Sequence, residues 1–126
     1  MGITEKIEAV EFGERAEGIV ANEYIKRGYA ILARRWKMGK TEIDLIAQKE
    51  DEIIMIEVKA RTTDYFDPNE AVTPDKRRRM IRAADTYIKS MKGDYSYRFD
   101  IAALAQTPEG IKMEILEDAF TSADLF

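Results

Sequence analysis

The segment TEIDLIAQKEDEIIMIEVKA, residues 41–60, decides the reading of this chain. Two runs of alternating character, TEIDLIAQ (41–48) and IIMIEVKA (53–60), flank the charged four-residue loop 49–52, which is the pattern of a β-hairpin. Pairing Gln48 with Ile53 sets a register in which Asp44 faces Glu57 and Glu42 faces Lys59. Opposed side chains in an antiparallel pair stand with Cβ atoms roughly 4.5–5.5 Å apart, so like charges there repel. Strand alternation puts Ile46 and Met55 on the charged face and Ile54, Ile56 and Val58 on the other. A slip of one residue would separate the charges, but it would also turn those apolar side chains to the wrong side.

Two carboxylates and a lysine held together are costly unless something positive lies between the acids. A divalent cation is the natural candidate, because Mg²⁺ prefers carboxylate oxygens. The lysine, a compact point charge, then suits a water or a developing oxyanion beside the ion. Charged and apolar residues that alternate on a hairpin also describe a solvated outer face with Glu–Lys pairs. Two details weigh against that: Glu57 opposes an aspartate, and Ile46 and Met55 share the charged face.

Outward from the hairpin, residues 5–27 read as a helix with Ala16, Ile19, Val20 and Tyr24 at helical spacing and Gly28 placed as a C-terminal cap. YAILARRW (29–36) is a further strand before the hairpin, and the irregular stretch RTTDYFDPNEAV (61–72) follows it. Thr73-Pro74 starts a second helix that buries Met80, Ala84, Tyr87, Ile88 and Met91 and stops at Gly93. Two last strands, 97–104 and 111–117, flank a turn with Pro108 and Gly110. The order αβββαββ predicts an α/β protein with one mixed sheet and helices packed on it. No repeat, linker or low-complexity tract interrupts it, so residues 1–126 read as a single domain.

Composition narrows the chemistry. The chain has no cysteine and no histidine, which removes Ser-His-Asp and Cys-His catalysis and thiolate or imidazole zinc sites. Absence of cysteine, of a signal pattern and of a long apolar run suits a cytoplasmic protein with no membrane partner. A net charge of −4 argues against a basic nucleic-acid coat, but it leaves room for a local patch. Lys76, Arg77, Arg78, Arg79 and Arg82 put five cations in seven residues, a phosphate-binding candidate, with Arg78 and Arg82 sharing a helix face with Lys89. Arg34, Arg35, Lys37 and Lys40 form a second cluster just before the hairpin. Trp36 and Tyr65 are candidates either for stacking on an unpaired base or for core packing. No recognition helix or zinc finger is visible, so any reading of nucleic acid is of shape rather than sequence.

The first helix offers further acids: Glu14 and Glu17 lie three apart, on one side. Gly13 and Ala21, one turn to either side of Glu17, predict a close approach of that helix to the sheet. Asp44 followed by Glu57-x-Lys59 on the next strand resembles the PD-(D/E)xK, restriction-endonuclease-like superfamily. AEGIVANEYIKRGYAIL, TEIDLIAQ, IEVKAR, EAVTPDKRRRMIRAA, RFDIAAL and the closing AF, in order from Phe12 to Phe120, resemble the YraN family of small bacterial proteins similar to archaeal Holliday-junction resolvases. The resemblance implies a three-layer fold with a metal site where the hairpin bends. It carries the family's helix glutamate onto Glu17, its aspartate onto Asp44 and its ExK pair onto Glu57 and Lys59, with Glu42 as the acid two before the aspartate. Ala16 and Thr41 stand where the family generally has glycine, which alters backbone approach and leaves the acids intact.

The expected function is therefore metal-dependent cleavage of DNA phosphodiesters, including branched or recombination structures. Glu17, Asp44 and Glu57 would hold one or two Mg²⁺ or Mn²⁺ ions, with Lys59 beside them. Symmetric nicking of a junction implies a homodimer. The rival readings are a nuclease-fold module that binds nucleic acid without cutting it, and a scaffold whose acidic face is an interface to another protein.

Overall fold

A hairpin with apolar residues on both faces needs cover on both sides, and this chain supplies one helix for each. The computed structural model describes residues 2–62 and 72–121. Along them run α1 (Ile3–Lys26), β1 (Ala30–Met38), β2 (Thr41–Lys49), β3 (Glu52–Arg61), α2 (Pro74–Ser90), β4 (Ser96–Thr107) and β5 (Gly110–Phe120). The five strands form one mixed sheet in sequence order, antiparallel except for the parallel pair β3–β4. A parallel pair needs a crossover connection, and α2 is that crossover. The architecture is the three-layer arrangement, in the order αβββαββ, expected from the sequence.

The hairpin register also matches expectation, with Gln48 opposite Ile53 and Leu45 opposite Ile56. On one face Leu45, Ala47, Ile54 and Ile56 pack against Phe12, Ala16, Val20, Ala21 and Tyr24 of α1. On the other, Ile46, Ile53 and Met55 meet Met80, Ile81, Ala83 and Ala84 of α2. Ile46 and Met55 are fully buried, so the face that carries the charges is roofed over and not a solvated exterior. Each such side chain contributes about 1.5–3 kcal/mol on burial.

Local signals set the ends of the helices. The N–H of Gly28 (φ 94°) donates to Ile25 O at 3.0 Å and that of Tyr29 to Tyr24 O at 3.0 Å. These two bonds close a Schellman cap, and the Tyr29 ring lies edge-on to Tyr24, with centroids 5.3 Å apart. At the start of α2, Thr73 Oγ1 accepts the Lys76 N–H at 3.2 Å and Pro74 occupies the first turn. The expected stop at Gly93 comes earlier: the helix ends at Ser90 with Met91 as its cap. The expected role of Gly13 is corrected, because a Cβ added at Gly13 would meet nothing within 4 Å. Ala21, the other small residue expected there, is fully buried, and so is Ala16.

A polar network within the described residues was not anticipated. Asp100, fully buried in β4, accepts from Tyr24 Oη at 2.5 Å, from Arg98 Nε at 3.0 Å and from the Asp118 N–H at 3.0 Å. Arg98 continues it to Glu52 at 3.0 Å. The Asp118 contact falls where the β4–β5 register shifts, between Phe99 and Ile101, and Asp118 takes a left-handed φ of 51°.

Candidate active site at the end of the β2–β3 hairpin

Alternation along β2 fails at a single level, and that level is Asp44. Ile43 and Ile46 both pack into the α2 core, whereas Leu45 and Ala47 pack into the α1 core. On β1, Arg34 pairs with Leu45 and Trp36 with Ile43, which leaves Arg35 at the level of Asp44. Arg35 has φ 52°, a left-handed conformation costing on the order of 1 kcal/mol that tertiary structure must hold in place. Both strands thus change phase together, which bends the hairpin where the resemblance puts a metal.

The bend corrects the expected pairing. The β2–β3 ladder ends at Leu45–Ile56, so Asp44 and Glu57 are not a ladder pair. Instead Asp44 Oδ2 accepts the Val58 N–H at 2.8 Å and takes the place of a strand carbonyl. Glu42 does not face Lys59 either; it is in register with Lys37 on β1.

The two acids nevertheless share one electrostatic site. Glu57 is 3% exposed, and its Oε1 accepts from Lys76 Nζ at 2.5 Å, with Lys59 Nζ 3.8 Å from the same oxygen. Its Oε2 is buried with no hydrogen-bond partner among the described residues. Burial, and next the charge of Glu57, push the Asp44 carboxyl up to about 7; the Val58 N–H opposes this, Glu17 adds to it and Lys76 opposes it. Glu17 reaches the site from α1, but its Oε2 is engaged by Arg35 Nε at 2.9 Å. The Arg35 guanidinium is held above its usual range by that hydrogen bond and the charge of Glu17, with Glu42 and Glu14 adding smaller contributions. Glu14 and Glu42 reach this cluster only through the charge each exerts on Arg35.

The basic run of α2 is divided among different tasks. Lys76 turns in to Glu57. Arg77 donates to Val72 O at 3.1 Å and lies over the Phe120 ring, 5.4 Å from its centroid. Arg78 pairs with Asp75, and Lys89 pairs with Asp85 at 2.8 Å. Arg79 and Arg82 are exposed, as are Arg34 and Lys37 on β1. Trp36 packs edge-on against Tyr87, with centroids 5.2 Å apart, which favours core packing over base stacking. Tyr65 and the rest of residues 63–71 lie outside the described residues.

Two residues of the site were assigned elsewhere by sequence reasoning: Lys76 and Arg35, both placed in phosphate-binding patches. A signal for Lys76 existed. In a β3–α2–β4 crossover the first turn of the helix sits over the end of the strand it leaves, and that end carries Glu57 and Lys59.

Asp44 and Glu57 suit a hard cation, since a buried carboxylate oxygen with no donor is what an ion would satisfy. No set of three acids close enough to cage an ion occurs among the described residues. Mg²⁺ is commonly held by one or two carboxylates with waters and substrate phosphate completing its shell, so two suffice. Glu17 Oε2 is taken by Arg35 Nε as the side chains stand.

The chain is 40% identical to a UPF0102 protein of Phocaeicola vulgatus over 111 residues, which covers 87% of this chain and 92% of the relative. It is 38% identical to one of Parabacteroides distasonis with the same coverage, and 36% identical to one of Syntrophus aciditrophicus over 88% of this chain and 89% of the relative. These matches bear on the small bacterial family that the motifs resemble, not on the nuclease superfamily. With a family model matching residues 16–104, a span that includes Glu17, Asp44, Glu57 and Lys59, the chain belongs to the uncharacterised protein family UPF0102.

Proposed function

We propose that this protein is a metal-dependent endonuclease acting on DNA phosphodiesters, with branched or recombination structures among its substrates. The observation that carries the reading is the paired-acid site: a buried Glu57 with one oxygen bare, beside an Asp44 whose carboxyl is pushed up to about 7. Strongly perturbed carboxylates with a specific charge partner cluster at functional sites. A Mg²⁺ or Mn²⁺ ion held by Asp44 and Glu57 would supply the Lewis acid that activates a water and stabilises the leaving oxygen. Lys59, 3.8 Å from Glu57 and one-third exposed, would put a positive charge beside the phosphoryl oxygens as they become more negative. Val58 fixes the Asp44 carboxylate through its N–H, and Arg35 fixes Glu17. Cutting both strands of a junction symmetrically would call for two copies of the site, hence a homodimer.

One observation favours a second reading, a nuclease-fold module that binds nucleic acid without cutting it: Glu57 and Glu17 each already hold a cationic side chain. Cleavage assays on labelled duplex, single-stranded and four-way-junction DNA with Mg²⁺ or Mn²⁺ separate the two. The nuclease reading expects metal-dependent cutting of at least one substrate. It also expects Lys59→Met to lower cutting by roughly two orders of magnitude while metal and DNA affinity barely change, the scale for losing a preorganised stabiliser. Binding to all substrates with no cutting on any would hand the site to the second reading. Undiminished cutting by Lys59→Met would reduce that lysine to a salt-bridge partner.

A further inference from the structure

An ammonium group already stands where a cation is needed. Lys76 Nζ lies 2.5 Å from Glu57 Oε1, whereas Lys59 Nζ lies 3.8 Å from it, so Lys76 is the closer neutralising charge. The carboxylate it meets is almost wholly buried, and the second oxygen of that carboxylate has no partner among the described residues. A buried carboxylate left without a counter-charge is costly, so the protein without metal needs this lysine at this oxygen.

The lysine is nonetheless built to leave. Its backbone is fixed, because the Lys76 N–H caps on Thr73 Oγ1 and the next residue, Arg77, is anchored to Val72 O and Phe120. Its side chain is a flexible four-carbon stem, 29% exposed, with a route to solvent. A divalent ion on the bare Oε2 and the ammonium group on Oε1 would share one carboxylate and repel each other, and only the ammonium is tethered.

We propose that Lys76 occupies the cation position at Glu57 in the metal-free protein, gives it up when a divalent ion binds, and thereby sets the metal affinity of the site. The inference rests on the metal-site reading above. Lys76 thus keeps the buried acid neutralised between loading events, and once displaced it is an unpaired cation beside the ion, available to a substrate phosphate. It acts through Glu57 and is a positioning residue.

Calorimetric titration of Mn²⁺ into the wild-type protein, Lys76→Met and Arg79→Met at pH 8.5 tests this without reference to cutting. Lys76→Met is expected to bind Mn²⁺ at least tenfold more tightly than wild type and to gain more thermal stability from it. Arg79→Met removes the same charge from an exposed position three residues along and is expected to change affinity less than threefold. If Lys76→Met does not fold, Lys76→Gln, which keeps a neutral donor, carries the comparison with the same expected direction. Equal affinities in the wild type and the Lys76 variant would overturn the inference while the metal site stands. Equal gains in the Lys76 and Arg79 variants would overturn it too, by showing only general electrostatics. No Mn²⁺ binding by either the wild-type protein or the Lys76 variant would overturn the metal site and the inference together.

Discussion

Asp44 shows how a single carboxylate can be worth keeping where it is uncomfortable. It replaces a strand carbonyl by accepting the Val58 N–H, yet burial and the neighbouring Glu57 charge push its carboxyl up to about 7. A raised pKa means that the folded protein holds a proton which the unfolded chain, with a pKa of 3.8, has lost. Stability without metal therefore falls as pH rises from about 4 to about 7, and the full penalty is present above that. Asp44→Asn should remove that slope and raise the melting temperature at pH 8. The gain should correspond to on the order of 1–3 kcal/mol, since each tenfold change in proton affinity between the folded and unfolded states is worth about 1.4 kcal/mol. The same variant should lose the stabilisation that Mg²⁺ or Mn²⁺ gives the wild-type protein. Thermal melts across pH, with and without metal, check both; a variant that melts lower and still responds to metal would refute the shared site. Asp44, Glu57 and Lys59 were singled out from strand alternation, but the register that was to oppose them ends at Leu45–Ile56, one pair short. Their immediate partners were not legible in the sequence: Lys76 and Arg35 come from separate elements, and only packing brings them in.

Helix α2 carries two kinds of basic residue that the sequence does not distinguish. Lys76 and Arg77 lie on the side that faces the sheet, while Arg79 and Arg82 are exposed and have no ion pair among the described residues. If α2 tracks a phosphate backbone, it does so through the second pair, and Arg78, paired with Asp75, contributes less. Replacing Arg79 and Arg82 together with Ala should weaken binding to any DNA sequence about equally. Each lost phosphate contact should make the slope of log K against log salt shallower by about 0.9 on duplex DNA. An unchanged slope in fluorescence-anisotropy titrations at several salt concentrations would leave this surface as ordinary solvated helix. The apolar stripe of α2 was legible from its period: Met80 and Ala84 are buried, with Tyr87, Ile88 and Met91 packed at the edge. Rotation of the helix about its axis decides which arginine meets solvent, and the sheet fixes that rotation.

Across the whole molecule, the Asp100 network ties elements that are far apart in the chain. It links α1 through Tyr24, β3 through Glu52 and the β5 bulge through Asp118. Burial, with the Asp100 charge and hydrogen bond adding to it, holds the Tyr24 hydroxyl far above its usual range, so it remains a donor at any working pH. Asp100→Ala would leave the Tyr24 hydroxyl and the Asp118 N–H without their acceptor and Arg98 with Glu52 as its nearest remaining carboxylate. It should cost about 3–5 kcal/mol, the range for breaking a buried pair from one side. Tyr24→Phe removes one hydrogen bond and should cost roughly 1–3 kcal/mol. Urea denaturation measures both, and a loss below about 1 kcal/mol for Asp100→Ala would mean that the network is not what holds these elements.

The sequence by itself determined the order αβββαββ, the hairpin register as far as Leu45–Ile56, and the Gly28 and Thr73 caps. Each of these depends on interactions between near neighbours: side-chain period, turn length, a capping hydroxyl or a glycine at positive φ. Tertiary structure alone decided that the ladder stops at Leu45–Ile56, that Asp44 takes the Val58 N–H, and that Lys76 and Arg35 fill the charge around Glu57 and Glu17. It also decided that Asp100, which has no distinguishing mark in RFDIAAL, is the most heavily hydrogen-bonded side chain described in the core. The reason is physical: a buried charge is tolerated only beside its partner, and here the partners lie 18, 19 and 76 residues away along the chain.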